Sequence, residues 1–102
     1  MGDFPNANID AQEIRILIAD DHAVVLDGIK MLLEEQGDMA VVGTARDGLK
    51  AVKKAKILCP DVALLDIAMP ELSGLEAVSL IKELVPDTEE VILSMHIKES
   101  YV

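Results

Sequence analysis

The sequence predicts an α/β fold in which helices cover both faces of a parallel sheet. Four short segments rich in β-branched or other apolar residues alternate with three segments whose apolar residues recur at helical spacing. The segment VALL (residues 62–65) is a continuous apolar run, which is typical of a strand buried on both faces, and IRILIA (residues 14–19) is rich in β-branched and apolar residues. Alternating strands and helices indicate parallel strands joined by right-handed crossovers.

The composition indicates one globular domain with an acidic surface. The chain has 102 residues, of which 51% are hydrophobic and 27% charged, enough for one domain with one core. Nineteen acidic residues outnumber nine basic ones, and the formal net charge is −10. This excess argues against binding of nucleic acid or an anionic membrane through this chain, and it suits a protein that holds cations or docks with basic surfaces.

Cysteine usage and the absence of targeting patterns predict a cytoplasmic location. The single cysteine, Cys59, excludes an internal disulfide and fits a reducing compartment. We expect it to be a small buried side chain at a helix end rather than a catalytic thiol. The sequence contains neither a signal-peptide pattern nor an apolar run long enough to span a bilayer.

The first third of the chain predicts a tail, a strand and a helix. Residues 1–13 are polar and turn-rich, as terminal tails are, and residues 14–19 form the first strand. Helical spacing then extends over residues 23–36, with Asp21 or His22 as the cap and Gly37 as the stop. Four residues of this helix are expected to share the buried face: Val25, Ile29, Leu32 and Leu33.

The remaining sequence continues the alternation. Strands are predicted over residues 39–45, 62–66 and 89–94 or 95, with helices over residues 49–58 and 75–85 and a loop over residues 70–74. The residues expected to face inward are Leu49, Val52, Ala55 and Ile57 or Leu58 in the second helix, and Leu75, Val78, Ile81 and Leu84 or Val85 in the third. The stub after His96 is too short to form a stable helix alone.

Polar side chains follow three of the predicted strands at their carboxyl ends. Asp20 and Asp21 follow the first strand, Asp66 ends the third and Ser94 ends the fourth. In parallel sheets, ligands bind beyond these ends, near the point where the strand order reverses. Three converging carboxylates repel one another, and this repulsion is relieved if one is protonated or if a divalent cation binds. An oxygen-only set of ligands suits Mg²⁺ better than Zn²⁺.

Each of these residues also has a purely structural interpretation. Asp66 could be a solvated turn residue or a helix cap, Asp20 and Asp21 a helix-capping pair, and Ser94 a strand-end hydroxyl bonded to backbone. His22, beside the acidic pair, is expected to start the helix and form a local hydrogen bond rather than to bind metal. His96 is a weaker candidate for a ligand.

A magnesium ion beside a carboxylate and a hydroxyl is suited to phosphoryl chemistry. The metal neutralises phosphoryl oxygens, the Asp66 carboxylate attacks phosphorus in line, and the Ser94 hydroxyl donates a hydrogen bond to the transferred group. The residue spacing supports this interpretation alongside the structural one.

Three stretches of the sequence carry a resemblance to a known family. In order, ILIADDH (16–22), DVALLDIAMPELSGLEA (61–77) and VILSMH (91–96) resemble the receiver domain of two-component response regulators, a flavodoxin-like fold. The DDH motif and MHIKESYV (95–102) resemble the receivers of LuxR-type helix-turn-helix regulators. The resemblance covers residues 14–102, which we therefore expect to form one receiver domain after the tail.

The resemblance implies a role for each motif residue. Asp66 would be the phosphoacceptor and Ser94 the switch hydroxyl that turns toward the phosphoryl group. Mg²⁺ would be held by Asp20, Asp21, Asp66 and the backbone carbonyl of Ala68, although the sequence does not indicate which of the first two acts through water. Met69, Pro70 and Gly74 would shape the following loop, and we expect Gly74 to supply a backbone conformation closed to larger residues.

The sequence departs from the family pattern at its end. Family members continue through a fourth helix, a fifth strand that carries a lysine and a switch aromatic, and a fifth helix, so we expect a truncated receiver. Lys98 and Tyr101 precede the fifth-strand positions and are not assigned those roles. Weak or absent phosphorylation is therefore expected, with Mg²⁺ binding retained. The fourth strand (Val91, Ile92 and Leu93) would be an exposed edge, which predicts homodimers or segment-swapped oligomers.

Three functions compete on this basis. The first is a phosphoacceptor module controlled by a sensor histidine kinase, within a parent transcriptional regulator. The alternative is a receiver-like interaction or dimerisation module without phosphorylation. The third, a hydrolase with an aspartyl-phosphate intermediate, is disfavoured because Ile67 and Ala68 follow Asp66 where such enzymes carry a D-x-D element.

Overall fold

The computed structural model describes residues 13–93, and within them it confirms the predicted α/β architecture. The elements, in chain order, are β1 (Ile14–Ala19), α1 (Ala23–Glu34), β2 (Met39–Ala45), α2 (Gly48–Leu58), β3 (Val62–Asp66), α3 (Gly74–Leu84) and β4 (Glu89–Leu93). The expectations for the tail, for Ser94, for His96 and for the terminal stub lie outside the described residues.

The four strands form one parallel sheet in the flavodoxin-like order β2-β1-β3-β4. The central pair, β1 and β3, lies where the strand order reverses. Ala19 is in register with Ala45 on β2 and with Leu65 on β3, so these strands end nearly level. Asp20 and Asp66, one residue further along each strand, therefore lie side by side at the edge where such sheets bind ligands.

Alternate residues of β1 belong to two different cores. Leu17 and Ala19 pack with residues of α2 and α3, whereas Ile16 and Ile18 pack with Leu26 of α1. Successive side chains of a strand point to opposite faces, so α1 covers one face of the sheet and α2 and α3 cover the other. The central strands β1 and β3 are covered on both sides, and polar residues lie at their carboxyl ends.

The first helix has its ends close to the predicted ones, and side-chain caps begin α2 and α3. His22 is the N-cap of α1 without a side-chain cap bond, and the left-handed Gly37, at φ 84°, follows the helix. Asp47 caps α2, with its carboxylate accepting the Lys50 N–H at 2.8 Å. At α3, Ser73 and Glu76 form a reciprocal capping box, so this helix begins one residue earlier than predicted.

Three leucines predicted to face inward are exposed instead. Leu32 is 63% exposed, Leu49 46% and Leu75 60%. Leu49 and Leu75 are each the second residue of a helix whose first residue, Gly48 or Gly74, is buried. Because successive helical residues are about 100° apart, a buried first residue turns the second one away from the sheet. In α1 the innermost residue is Leu26, so the buried face is rotated away from Leu32.

The remaining predictions of helix burial have mixed outcomes. Leu58 packs against the core whereas Ile57 is exposed, and Val85 is buried whereas Leu84 is exposed, which resolves both alternatives. The prediction that Cys59 is buried is wrong. Cys59 is exposed and ends α2 in the left-handed conformation, with φ 46°. Its N–H still bonds to Ala55 O, but the chain turns out of the helix at this residue, so the side chain lies at the surface.

Candidate functional site

Asp20 is a buried carboxylate fixed immediately after β1. Its residue is 1% exposed, and its backbone N–H donates to Ala45 O at 3.0 Å, which continues the ladder toward β2. The side-chain Oδ1 accepts the backbone N–H of His22 at 2.9 Å. A side chain that accepts the N–H two residues later forms an Asx turn, and here this turn leads from the strand into α1. The carboxylate is thus held at the sheet edge before any ligand binds.

Asp66 is the last residue of β3 and is likewise 1% exposed. It is paired with Leu93 of β4, and the next N–H, that of Ile67, donates to Leu93 O at 3.4 Å. The prediction that this buried strand ends on a carboxylate is therefore confirmed, and the interpretation of Asp66 as a solvated turn residue is wrong. Its side chain lies beside that of Asp20 because β1 and β3 are neighbours.

Four side chains converge at this edge of the sheet. Asp20, Asp21, His22 and Asp66 each offer one ligand atom, and these atoms all lie within 4.8 Å of one another. Two unit charges at 4 Å repel by about 1 kcal/mol in water and by about 4 kcal/mol at an effective dielectric constant near 20. We call this set of three aspartates and one histidine the acidic pocket.

The donor set of the acidic pocket fits a hard cation. Asp20 Oδ2 is buried, and no hydrogen-bond donor within residues 13–93 contacts it. A buried oxygen without a donor destabilises the fold by about 1–3 kcal/mol, which a bound cation would offset. The carboxylates supply oxygen ligands, and Asp21, whose side chain is 35% exposed, leaves the pocket open on one side.

His22 is held by both neighbouring carboxylates. Its Nδ1 lies 2.9 Å from Asp20 Oδ1, within a hydrogen bond, and 2.9 Å from Asp21 Oδ1, at ion-pair distance without hydrogen-bond geometry. The Asp20 hydrogen bond, followed by the Asp21 charge, raises the pKa of His22 above its usual 6.5. This contact stabilises the fold fully below pH 6.5, and the stabilisation is lost as the pH rises through the raised pKa. The local hydrogen bond predicted for His22 is confirmed.

Arg46 joins β2 to the acidic pocket, a contact that the sequence did not predict. The residue directly follows β2, and its Nε and Nη2 both donate to the backbone carbonyl of Asp21, at 3.3 and 3.1 Å. A hydrogen bond to a backbone group 25 residues earlier produces no periodic pattern in the sequence. The only indication in the sequence was a basic residue directly after a predicted strand.

The segment after Asp66 returns sharply to α3. Ala68 is exposed and lies two residues beyond Asp66, Met69 is 8% exposed and packs in the core, and Glu71 has φ 72°. The Leu72 N–H donates to Pro70 O at 2.7 Å. The left-handed residue in this loop is therefore Glu71, and the expectation that Gly74 supplies a special backbone conformation is wrong.

Gly74 is required for space instead. A Cβ at this position would lie 2.1 Å from Asp66 O and 2.9 Å from Ile67 Cα. The Gly74 N–H donates to Ile67 O at 2.8 Å, so the first turn of α3 packs directly on the backbone of the acidic pocket. Gly48 has the same role at the start of α2, where a Cβ would lie 1.9 Å from Leu72 O.

The functional roles predicted for the site residues, including metal binding by Asp20, Asp21 and Asp66 and phosphoryl acceptance by Asp66, stay predictions. Ser94, Lys98 and Tyr101 lie outside the described residues, and the involvement of the Ala68 carbonyl in metal binding is untested.

Within residues 13–93, none of the helices is long and apolar enough to cross a membrane.

Comparison with known proteins identifies relatives among bacterial response regulators. The oxygen regulatory protein NreC of Staphylococcus epidermidis is 50% identical over 90 residues, which cover 87% of this chain and 41% of NreC. The receiver domain of NarL from Mycobacterium tuberculosis is 34% identical, with a TM-score of 0.78 over 83% of this chain and 68% of that one. A complex of CheX and CheY with BeF₃⁻ and Mg²⁺ from Borrelia burgdorferi is 28% identical, with a TM-score of 0.75 over 87% and 67%.

The match to the family extends over most of the sequence. The model of the response regulator receiver domain matches residues 16–102, which include the acidic pocket, most of β1 and the whole of the other three strands. The chain spans less than half the length of the curated NreC relatives. The chain belongs to the response regulator receiver domain family, in the group of the NreC and NarL regulators.

Proposed function

We propose that Asp66 accepts a phosphoryl group from the phosphohistidine of a sensor histidine kinase. Phosphoryl transfer of this kind is the function of the receiver family to which the chain belongs. The observation that carries the assignment to Asp66 is the convergence of its buried carboxylate with Asp20 and Asp21 at the reversal of strand order. A lone carboxylate at this place would fit a structural role, whereas three within 4.8 Å repel one another unless one is protonated or a cation binds them.

Mg²⁺ is the cation that this donor set fits best. Asp20, Asp21 and Asp66, together with the Ala68 carbonyl, would hold it, and the bound ion supplies positive charge that neutralises phosphoryl oxygens. Support comes from the buried Asp20 Oδ2, which meets no donor within the described part of the chain, and from the Mg²⁺ and BeF₃⁻ of the Borrelia CheY complex.

In the proposed transfer, one bond to phosphorus forms while another breaks in a single step. An Asp66 carboxylate oxygen forms a bond to phosphorus while the bond between phosphorus and the kinase imidazole nitrogen breaks, and the imidazole leaves with the electron pair and then takes up a proton. The Ser94 hydroxyl would donate a hydrogen bond to the transferred group. Because the acceptor is consumed once per transfer, the reaction is a self-catalysed modification and not that of a classical enzyme.

The relatives suggest the setting in which this occurs. NreC is an oxygen regulatory protein, and this chain spans 41% of its length. We propose that the parent of this chain is a cytoplasmic transcriptional regulator, in which this domain neither binds nucleic acid nor contacts a membrane. The net charge of −10 supports the proposal that this domain binds neither nucleic acid nor an anionic membrane.

Self-association through β4 stays a prediction. Among the described strands β4 is one of the two edge strands of the sheet, and its Val91 is 43% exposed. We expect light scattering at high micromolar concentration to give a mass above that of the monomer. A monomeric mass under those conditions would contradict the homodimer or swapped oligomer.

Magnesium titration followed by amide NMR tests the proposed function. Mg²⁺ should shift the signals of Asp20, Asp21 and residues 66–69, and added BeF₃⁻ should extend the response to Ser94. Asp66→Asn should weaken the Mg²⁺ response by at least about tenfold, because it removes one of the three negative charges. Asp87→Asn is the matched control, since it removes an exposed charge in the turn before β4, at the opposite edge of the sheet.

The same titration separates the alternative function. If millimolar Mg²⁺ leaves these signals unchanged, the chain retains the motif without the site, and the receiver-like interaction module becomes the better description. A Mg²⁺ response equal in Asp66→Asn and the unmodified protein would remove Asp66 from the site.

A further inference from the structure

We propose that Arg46 binds the anionic phosphodonor at the rim of the acidic pocket. This inference rests on the proposed function, because it assigns a residue to the donor in the transfer to Asp66. It concerns a side chain that lies outside the acidic pocket's own set of ligand atoms.

The position of Arg46 is fixed by the chain itself. Its Nε and Nη2 both donate to the backbone carbonyl of Asp21, at 3.3 and 3.1 Å. A planar guanidinium that bonds one acceptor through two nitrogens is held in orientation as well as in distance. Since Asp21 belongs to the acidic pocket, the guanidinium lies at the pocket's rim before any donor arrives.

The charge of Arg46 is left available. Its hydrogen-bond partner is a neutral carbonyl, and no carboxylate of residues 13–93 lies within ion-pair distance of it. A guanidinium has five N–H donors, of which the carbonyl engages two, so three donors remain for a further acceptor. Arginine at such a place suits a phosphate, whose oxygens match its fork of donors.

Three of the other described cations have partners elsewhere. Arg15 donates to Cys59 O, Lys54 to Thr44 O, and Lys82 lies 3.7 Å from Glu90 Oε1. Among residues 13–93, Arg46 is the only cationic side chain from another element that bonds to a residue of the acidic pocket. It is therefore the cation best placed to meet a phosphoryl group approaching Asp66.

The positive charge of Arg46 would reduce the electrostatic repulsion between the acidic pocket and the phosphodonor. The three aspartates carry three negative charges, and a divalent cation compensates two of them. An anionic phosphodonor thus approaches a site that is still negative, on a chain of formal net charge −10. A fixed positive charge at the rim lowers that repulsion and raises the rate of productive encounter.

The test measures phosphorylation by acetyl phosphate, in which an Asp66 oxygen bonds to phosphorus as the P–O bond to acetate breaks and acetate leaves with the electron pair. The second-order rate constant is followed by intact-protein mass spectrometry with Mg²⁺ at low and high ionic strength. We compare Arg46→Gln, which keeps a donor for the Asp21 carbonyl without the charge, Arg46→Lys, which keeps the charge, and Lys56→Gln, which removes a charge from the far end of α2.

The proposal expects one pattern of results. Arg46→Gln lowers the rate constant about tenfold at low ionic strength, and added salt reduces this difference because it screens the interaction. Arg46→Lys retains most of the rate, and Lys56→Gln is unchanged. The Mg²⁺ affinity of Arg46→Gln, measured by NMR titration, is equal to or tighter than that of the unmodified protein.

Other results overturn the proposal in distinguishable ways. A parallel loss of rate and Mg²⁺ affinity in Arg46→Gln means that the side chain only holds the Asp21 segment in place. Equal rates for Arg46→Gln and the unmodified protein remove Arg46 from donor binding while leaving the proposed function intact. If the unmodified protein binds Mg²⁺ but is phosphorylated too slowly to measure, as the truncation predicts, the same variants are compared by their Mg²⁺-dependent affinity for BeF₃⁻, an anionic analogue of the phosphoryl group. Equal BeF₃⁻ affinities of Arg46→Gln and the unmodified protein then reject this inference, and absence of any Mg²⁺ and BeF₃⁻ response rejects the proposed function.

Discussion

Replacing Gly74 by alanine is expected to destabilise the protein by more than about 3 kcal/mol. The added Cβ would lie 2.1 Å from Asp66 O and 2.9 Å from Ile67 Cα, contacts with backbone atoms that cannot rotate away. The clash is removed only if the first turn of α3 moves off the sheet, which breaks the Gly74 N–H bond to Ile67 O. Urea denaturation followed by circular dichroism measures the loss.

The chain provides a control with the opposite sign. Gly28 lies in the middle of α1, and a Cβ there would have no heavy atom within 4 Å. Gly28→Ala should therefore stabilise the protein by about 0.5–1 kcal/mol, since alanine loses less backbone entropy than glycine in a helix. If Gly74→Ala unfolds at the same urea concentration as the unmodified protein, the close approach of α3 to the Asp66 backbone is incorrect.

A functional consequence follows from the same contact. Asp66 O touches the start of α3, so a displaced helix also displaces the backbone of the phosphoacceptor. If Gly74→Ala remains folded, we expect its Mg²⁺ affinity to fall together with its stability. This coupling explains why a residue without a side chain belongs to the motif that follows the acceptor.

The parts of the site that the sequence predicted are those determined by strand ends. Asp20 and Asp66 each terminate a buried apolar run, and in a parallel sheet the ends of neighbouring strands coincide. That single geometric rule brings together residues 46 positions apart in the chain. The fold class follows from the same alternation of apolar runs and helical periodicity.

The parts that the sequence did not predict depend on close packing between elements. Helical periodicity predicted that Leu49 and Leu75 face inward. The spacing of apolar residues contains no information about the close approach of the preceding glycines to a neighbouring backbone. The Arg46 bonds to Asp21 O and the bond from buried Thr88 Oγ1 to Pro60 O, at 2.7 Å, join distant segments without any repeating pattern. Hydrogen bonds from side chains to remote backbone become visible only when the elements are packed.

Replacing Asp20 by asparagine is expected to stabilise the metal-free protein and to remove its response to Mg²⁺. Asparagine keeps an oxygen that can accept the His22 N–H, while it deletes one of three negative charges confined within 4.8 Å. Relief of this repulsion should raise the free energy of unfolding by about 1–2 kcal/mol. In the unmodified protein, Mg²⁺ at 100 times its Kd should add about 2.7 kcal/mol, and in Asp20→Asn that increment should largely vanish.

The pH dependence of this gain has a defined sign. At low pH, protonated His22 compensates the Asp20 charge, so removing that charge also removes a favourable contact. As the pH rises through the raised pKa of His22, the compensation is lost, and the stabilising effect of Asp20→Asn should increase. Denaturation with a chelator at mildly acidic and mildly alkaline pH measures both effects. A variant less stable than the unmodified protein at alkaline pH would show that the three aspartates do not repel one another in the folded state.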